Sequence, residues 1–237
     1  MLYYIKKQHP IWSRVFRKTK DIAEKIRFYV SPIDSLRFSG DLSVFLNEQT
    51  VRFAVIGDRS IDCKAKEQIS SIIERMKEAS QLNHRNVILV SSFSAGVDIT
   101  ALQAALDNGI PVVAVLSEGL EGNYPKRYKE LAERIIQTPG CGLLTQFEDS
   151  VTVTRNNYYD RDAVIALVSD VVNVVTAKKD SRAHQVAMFT QAVDIPLYAV
   201  PGEADDPLRE GCNNLIEEGI AHAFPRWEAL TSENNNI

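Results

Sequence analysis

The chain has 237 residues, 45% of them hydrophobic and 24% charged, with a formal net charge of −4. That composition belongs to a folded globular protein with one substantial core, or one domain with an appendage. No apolar stretch approaches the length of a membrane span, and the N-terminus MLYYIKKQHP lacks the apolar core of a signal peptide.

The charge is unevenly placed. Residues 1–30 hold eight Lys and Arg against Asp21 and Glu24, a local +6 that leaves −10 for the remainder. A globally acidic chain repels nucleic acid at long range, so any such binding needs a local positive patch. After Pro10, the residues Ile11, Trp12, Val15, Phe16, Ile22, Ile26 and Tyr29 recur mostly at three- and four-residue spacing. This predicts a helix that packs its apolar stripe on the main domain and leaves a basic face in water. The segment runs straight into the folded part, which argues against a cleaved presequence. Residues 31–45, SPIDSLRFSGDLSVF, read as turns and a short extended piece.

From residue 51 the pattern alternates. Strands are predicted over 51–56, 87–91, 112–116, 142–146, 171–176 and 196–200, mostly as unbroken Val, Ile, Leu and Ala runs that suit parallel strands buried on both faces. Helices are predicted over 63–80, 97–108, 126–138, 157–169 and 182–193, with another near 211–219 before the polar tail SENNNI. The expectation is a doubly wound, mostly parallel α/β domain over residues 46–225. An N-terminal helix and lead-in over 1–45 precede it, and a tail over 226–237 follows. Cys63, Cys141 and Cys212 form no CxxC or metal pattern. A reduced, cytoplasmic setting is therefore expected.

In such folds ligands sit at the carboxyl ends of the strands, where following helices point N–H groups at anions. The first strand end reads Gly57-Asp58-Arg59-Ser60. Gly57 permits a tight turn, Asp58 or Ser60 suits a helix cap, and Arg59 projects where an anion would dock. The same residues also fit a plain junction with a solvated arginine. No GxGxxG fingerprint for a dinucleotide is present. The second strand end, SSFSAGVD (91–98), offers small residues that let backbone N–H groups approach a phosphate. Ser91, Ser92 and Ser94 can donate further hydrogen bonds, with Asp98 positioning groups around the turn. Close packing and capping alone are the alternative. In EGNYPKRY (121–128), Tyr124 can stack on a base, and Lys126 and Arg127 can meet phosphates; a turn with a packing tyrosine fits as well. NNYYDRDAVIALVSD places Arg161 at a helix start beside Tyr158 and Tyr159, where a salt-bridged arginine is the plainer alternative. His9, His84, His184 and His222 share no ligand spacing, and no Ser/His/Asp or Cys/His arrangement can be drawn. Residue chemistry thus gives catalysis no support, and no metal or cofactor is expected.

Taken in order, these stretches resemble the DprA/Smf family of DNA-processing proteins, within a Rossmann-like superfamily that also holds the LOG phosphoribohydrolases. The resemblance covers about residues 32–220. The family's G-S-R is matched by Gly57-Asp58-Arg59, and its S-G-x-A-x-G-I-D by Ser91 through Asp98, including Gly96. AVLSEGLEGNYP, RDAVIALVS, AVPG (199–202) and GCNNLI (211–216, with Asn213) are similar to further family motifs, and SLRFSGDL to its lead-in. The resemblance implies a non-enzymatic protein, often dimeric, that binds single-stranded DNA in a positive pocket and helps load the recombinase RecA during natural transformation. The implied phosphate- or DNA-binding set is Gly57, Arg59, Ser60, Ser91, Ser92, Ser94, Gly96, Tyr124, Lys126, Arg161 and Asn213, with Asp58 and Asp98 structural at the site.

The departures are specific. Asp58 replaces the serine of G-S-R, Ser92 the glycine of S-G-x-A, and Asp162 and Ala163 the last two residues of R-N-R. Ser181 through Ala187 stand where the family has S-G-S-L-x-T-A, and Thr176 where it has a glutamate. Lys178, Lys179 and Arg182 are candidates to rebuild the pocket. A C-terminal winged-helix domain and a full N-terminal helical domain are not expected. Asp58 is expected either to cap the following helix, to hold Arg59 in a salt bridge, or to mark a changed ligand. Two alternatives stand beside DNA binding: a nucleotide- or small-molecule-binding sensor or enzyme, and an interaction protein with a vestigial pocket. A LOG-type hydrolase would carry P-G-G-x-G-T-x-x-E, which is missing.

Overall fold

Valine, isoleucine and leucine occupy both faces of the central strands, and this decides the architecture: such strands are stable only between two layers of helix. The computed structural model describes residues 3–5, 9–11, 15, 33, 35–121 and 126–224. Most of the helix expected over 11–29, and the tail from residue 226, lie outside them.

The nine strands of the described residues are β1 Tyr3–Tyr4, β2 Arg37–Gly40, β3 Val51–Ile56, β4 Val87–Ser92, β5 Val112–Val115, β6 Gly142–Thr145, β7 Val171–Val174, β8 Leu197–Ala199 and β9 His222–Ala223. They form one sheet in the order β1-β2-β6-β5-β4-β3-β7-β8-β9. The run from β6 to β9 is parallel, while β1 and β2 add antiparallel at one edge. The helices are α1 Ser43–Leu46, α2 Cys63–Asn83, α3 Val97–Asp107, α4 Lys129–Gln137, α5 Arg155–Val168, α6 Arg182–Ala192 and α7 Glu210–Glu217. The six predicted strands and the βα alternation are all present. The lead-in supplies β2, in keeping with the short extended piece read there, and the short helix α1, which that reading did not include. β9 was not anticipated either.

The strand period of two sorts side chains between the layers. Phe53, Val55, Leu89, Ala114 and Leu143 face α2, α3 and α4. Ala54, Ile56, Ile88, Val90, Val113 and Leu144 face α5, α6 and α7. Helix α5 is buried from Asp160 through Val168, and from Ala163 onward its apolar run is continuous with no polar face. Each fully buried aliphatic side chain contributes about 1.5–3 kcal/mol.

Two arginines lock the edges of this framework. Arg52, 4% exposed, donates to the carbonyls of Phe45, Asn47 and Thr50 and pairs with Asp170, which ties the lead-in to the amino ends of β3 and β7. Arg209, fully buried, donates to Asp62 at 3.0 Å and to Asp206 at 2.6 Å. Asp62 also caps α2 by accepting from the Ala65 N–H at 2.7 Å. The Arg209 guanidinium holds the Asp62 carboxyl down at about 2.

The strand order reverses at β3. β4, β5 and β6 lie to one side of it, and β7, β8 and β9 to the other. Loops leaving β3 and β7 therefore part in opposite directions, and a crevice opens between them at the carboxyl end of the sheet.

Candidate functional site

The crevice is a cavity of about 270 Å³ walled by the loop after β3, the loop after β4, the loop after β7 and the flanks of α5 and α6. Its floor is set by backbone contact. Gly96 has φ +96, and a Cβ there would meet the Asp58 carbonyl oxygen at 2.3 Å. Only glycine fits both conditions. The Val97 N–H donates to that same carbonyl at 3.2 Å, so the turns after β3 and β4 lie one on the other.

Asp98, on the first turn of α3, accepts from the Gly57 N–H at 3.0 Å and from the Ser92 hydroxyl in a short bond. Burial pushes its carboxyl up to about 7, against the pull of Ser92 and Arg161. Asp58 joins the two diverging loops: its N–H donates to Thr176 Oγ1 at 3.0 Å, and its carboxylate accepts from the Lys178 N–H at 2.8 Å. Two expectations are corrected here. The cap of α2 is Asp62, not Asp58 or Ser60, because the chain runs four more residues before it turns helical. The Asp58 carboxylate is held by a backbone N–H of the facing loop, and no ion pair joins it to Arg59 among the described residues. Arg59 is exposed on the cavity wall with Ser60.

Arg161 lies on the second turn of α5, not at its start, and is 3% exposed. Its Nε and Nη2 donate to Asp162 at 2.9 and 2.6 Å, and its Nη1 donates to Ser94 Oγ at 2.8 Å. Arg182 reaches the same Asp162 carboxylate from α6 at 3.2 Å and lies over the Tyr158 ring at 4.2 Å. Burial pushes the Asp162 carboxyl up to about 7 against the attraction of Arg161.

A second hollow of about 200 Å³ continues from the first, sharing Arg59, Ser94, Ala95 and Arg161. Its other walls are Phe93, Ser117, Glu118, Arg127, Tyr128, Val153 and Tyr158. Phe93 meets Tyr128 edge to face at 5.8 Å, and the Arg127 guanidinium lies over the Tyr128 ring at 4.8 Å. Glu118 is partly buried and its carboxyl is raised by that burial. The result is a pair of adjoining hollows with cations along both and aromatic rings in the second.

Gly57, Arg59, Ser60, Ser92, Ser94 and Arg161 from the sequence reading line the first cavity with Asp58 and Asp98, and Gly96 shapes its floor. Ser91 is not on the wall, since its hydroxyl is buried and donates to the Val55 carbonyl at 2.6 Å. Asn213 is also elsewhere: its amide exchanges two hydrogen bonds with the backbone of Gly202, pinning the loop after β8 to α7. Tyr124 lies outside the described residues. Lys126 opens a 3-10 turn, Lys126–Tyr128; its side chain is likewise outside them. The sequence reading gave no role to Phe93, Tyr128 or Glu118. Tyr128 stood in the quoted EGNYPKRY stretch, beside the Lys126 and Arg127 that the reading did single out.

Among the described residues no helix is long and apolar enough to cross a membrane. No group of three His, Cys, Asp or Glu side chains among them is placed to hold a metal ion.

Comparison with known proteins agrees with this geometry. A family model described as DNA recombination-mediator protein A matches residues 14–235. DNA processing protein DprA of Streptococcus pneumoniae is 26% identical over 197 residues, covering 83% of this chain and 62% of that protein. Protein Smf of Escherichia coli is 32% identical over 136 residues, covering 57% of this chain and 36% of its own length. The chain thus spans less than two thirds of either relative. The X-ray structure of the pneumococcal protein superposes with a TM-score of 0.72, over 86% of this chain and 66% of that one. A Helicobacter pylori DNA processing protein A, solved for its single-stranded DNA binding mode, superposes with a TM-score of 0.75 at 21% identity, over 94% of this chain and 90% of that one; it supports the fold. With a Rossmann-like sheet, a groove at its switch point and a family match across most of its length, this chain belongs to the DNA recombination-mediator protein A family, DprA/Smf.

Proposed function

We propose that the groove binds single-stranded DNA and that the chain acts as a recombination mediator, delivering the strand to a RecA-type recombinase in the cytoplasm as a homodimer. The observation that carries this reading is the groove itself. Arg59, Arg127, Lys178 and Arg182 are spaced along it, and Tyr128 and Tyr158 line its second hollow. Cations track a phosphate backbone, and aromatic rings offer stacking faces that unpaired bases can reach and paired bases cannot. The family description of a recombination mediator supports the same role. The site residues proposed are Gly57, Arg59, Ser60, Ser92, Ser94, Gly96 and Arg161, joined by Tyr128, Tyr158 and Arg182. The protein works by binding rather than by catalysis in this reading, and nucleoside monophosphates incubated with it should yield no free base above the enzyme-free control. The direct test is a titration of fluorescent single strands and duplexes of equal length at several salt concentrations. Single strands are expected to bind more tightly; equal or tighter duplex binding contradicts the proposal.

A further inference from the structure

The cations and acids of the first cavity nearly balance. Arg59, Arg161, Lys178 and Arg182 line it, and so do Asp58, Asp98 and Asp162. Above about pH 8, where Asp98 and Asp162 are ionised with the rest, the lining carries a net +1. Two of the four cations are also committed to one carboxylate. Asp162 is buried and receives Arg161 at 2.6 Å and Arg182 at 3.2 Å. Asp58 makes a similar commitment on the facing loop. The Lys178 N–H, a strand-end donor of the kind that binds phosphate, already donates to its carboxylate. The positive charge left over is that of Arg59 and Lys178, both exposed, offset in part by buried Asp98.

We propose that Asp58 and Asp162 are specificity determinants that fit this cavity to a singly charged phosphodiester inside a strand, and against terminal phosphates and polyphosphates. The inference rests on the DNA-binding reading and sharpens it. A diester carries one negative charge, which the lining matches. A terminal phosphate or a pyrophosphate brings two or more, which exceeds the net charge of the lining and sets the excess beside the carboxylates of Asp58, Asp98 and Asp162. Like charges set side by side repel, so discrimination comes from repulsion as much as from attraction.

The test, at about pH 8.5 where both buried carboxyls are ionised, uses the full chain, oligothymidylate with and without a 5′-phosphate, and inorganic pyrophosphate as competitor. For the wild type, the 5′-phosphate should change affinity by less than about twofold, and pyrophosphate should compete poorly. Asp162→Asn and Asp58→Ser each remove one negative charge, from different elements of the wall. Both should let pyrophosphate compete about tenfold better, with a smaller gain for the oligonucleotide. Asp58 sits on a partly exposed loop, so Asp58→Ser decides the question alone where Asp162→Asn lowers the folded fraction. Strong competition by pyrophosphate in the wild type, or no change in either variant, overturns the inference and leaves DNA binding standing. A wild type that binds no oligonucleotide, with variants that gain pyrophosphate binding by calorimetry, sinks the DNA reading and upholds the charge assignment.

Discussion

Two buried arginines sit at opposite ends of the same sheet, and they are used differently. Arg52, at the amino end, gives its guanidinium to three backbone carbonyls and to Asp170, and its ring contact is with Phe45 at 5.4 Å. Arg161, at the carboxyl end, is buried to nearly the same degree, yet its partners are the side chains of Asp162 and Ser94, and it borders both hollows. Backbone carbonyls fix a position that cannot move without unfolding the loop they belong to. Side-chain partners beside open space can rearrange when a ligand arrives. Burial alone does not separate a structural arginine from a functional one; the nature of the partners does.

This contrast breaks most sharply under substitution. Arg52→Met strips the carbonyls of Phe45, Asn47 and Thr50 of their donor and should lower the unfolding free energy by about 3–5 kcal/mol in denaturant titrations. Single-strand affinity per folded molecule should stay as it was. Arg161→Met should act on binding instead. It removes a cation and uncovers the Asp162 charge inside the groove, so anisotropy titrations should show about a thirty- to hundredfold loss of affinity. If Arg161→Met costs only stability, the two arginines are equivalent and the contrast fails.

A smaller effect concerns pH. Asp162 is faced by Arg161 on its own helix, by Arg182 from α6 and by Asp98 from α3; Asp98 is faced by Ser92, the Gly57 N–H, Arg161 and Asp58. Burial places both carboxyls at about 7, above their unfolded value of 3.8. Their stabilising contribution is therefore full below about pH 4 and lost as pH rises through 7. Asp62 behaves oppositely: held at about 2 by Arg209, it stabilises above its unfolded value and loses that effect as pH falls toward 2. For binding, the cavity sheds negative charge as pH falls from 8 to 6, so single-strand affinity should rise by about three- to tenfold. Asp162→Asn should flatten that rise. A flat wild-type profile would mean that neither carboxyl titrates within the groove.

The sequence showed the layers well and the wiring poorly. Unbroken runs such as VILVS and VVAV identify buried parallel strands because only two-sided burial tolerates them. The strand ends then follow, and with them Gly57, Arg59, Ser94 and Gly96. What could not be read was partner choice. Ser91 and Ser92 are neighbours, yet alternation across the strand sends one hydroxyl to Val55 and the other to Asp98 at the cavity. Asp58, Ser60 and Asp62 are all capping residues, and only the length of the loop selects Asp62. The lead-in showed only a short extended piece, with nothing to mark α1 or to name the partner of β2, which pairs with β6 at the sheet edge. Asp162 read only as a departure from the family's R-N-R, whereas it pairs with two arginines.

The central claim is that the groove at the switch point holds a single strand by its phosphates, and Arg59 is the residue on which to test it. It is exposed on the wall of both hollows, so its removal should leave stability within about 0.5 kcal/mol. The measurement is the affinity of wild type and Arg59→Ala for oligothymidylate across a salt series. One lost phosphate contact predicts about tenfold weaker binding at low salt and a log–log salt slope shallower by about 0.7. Unchanged affinity and unchanged slope in Arg59→Ala would contradict the account and move the nucleic-acid site away from this groove.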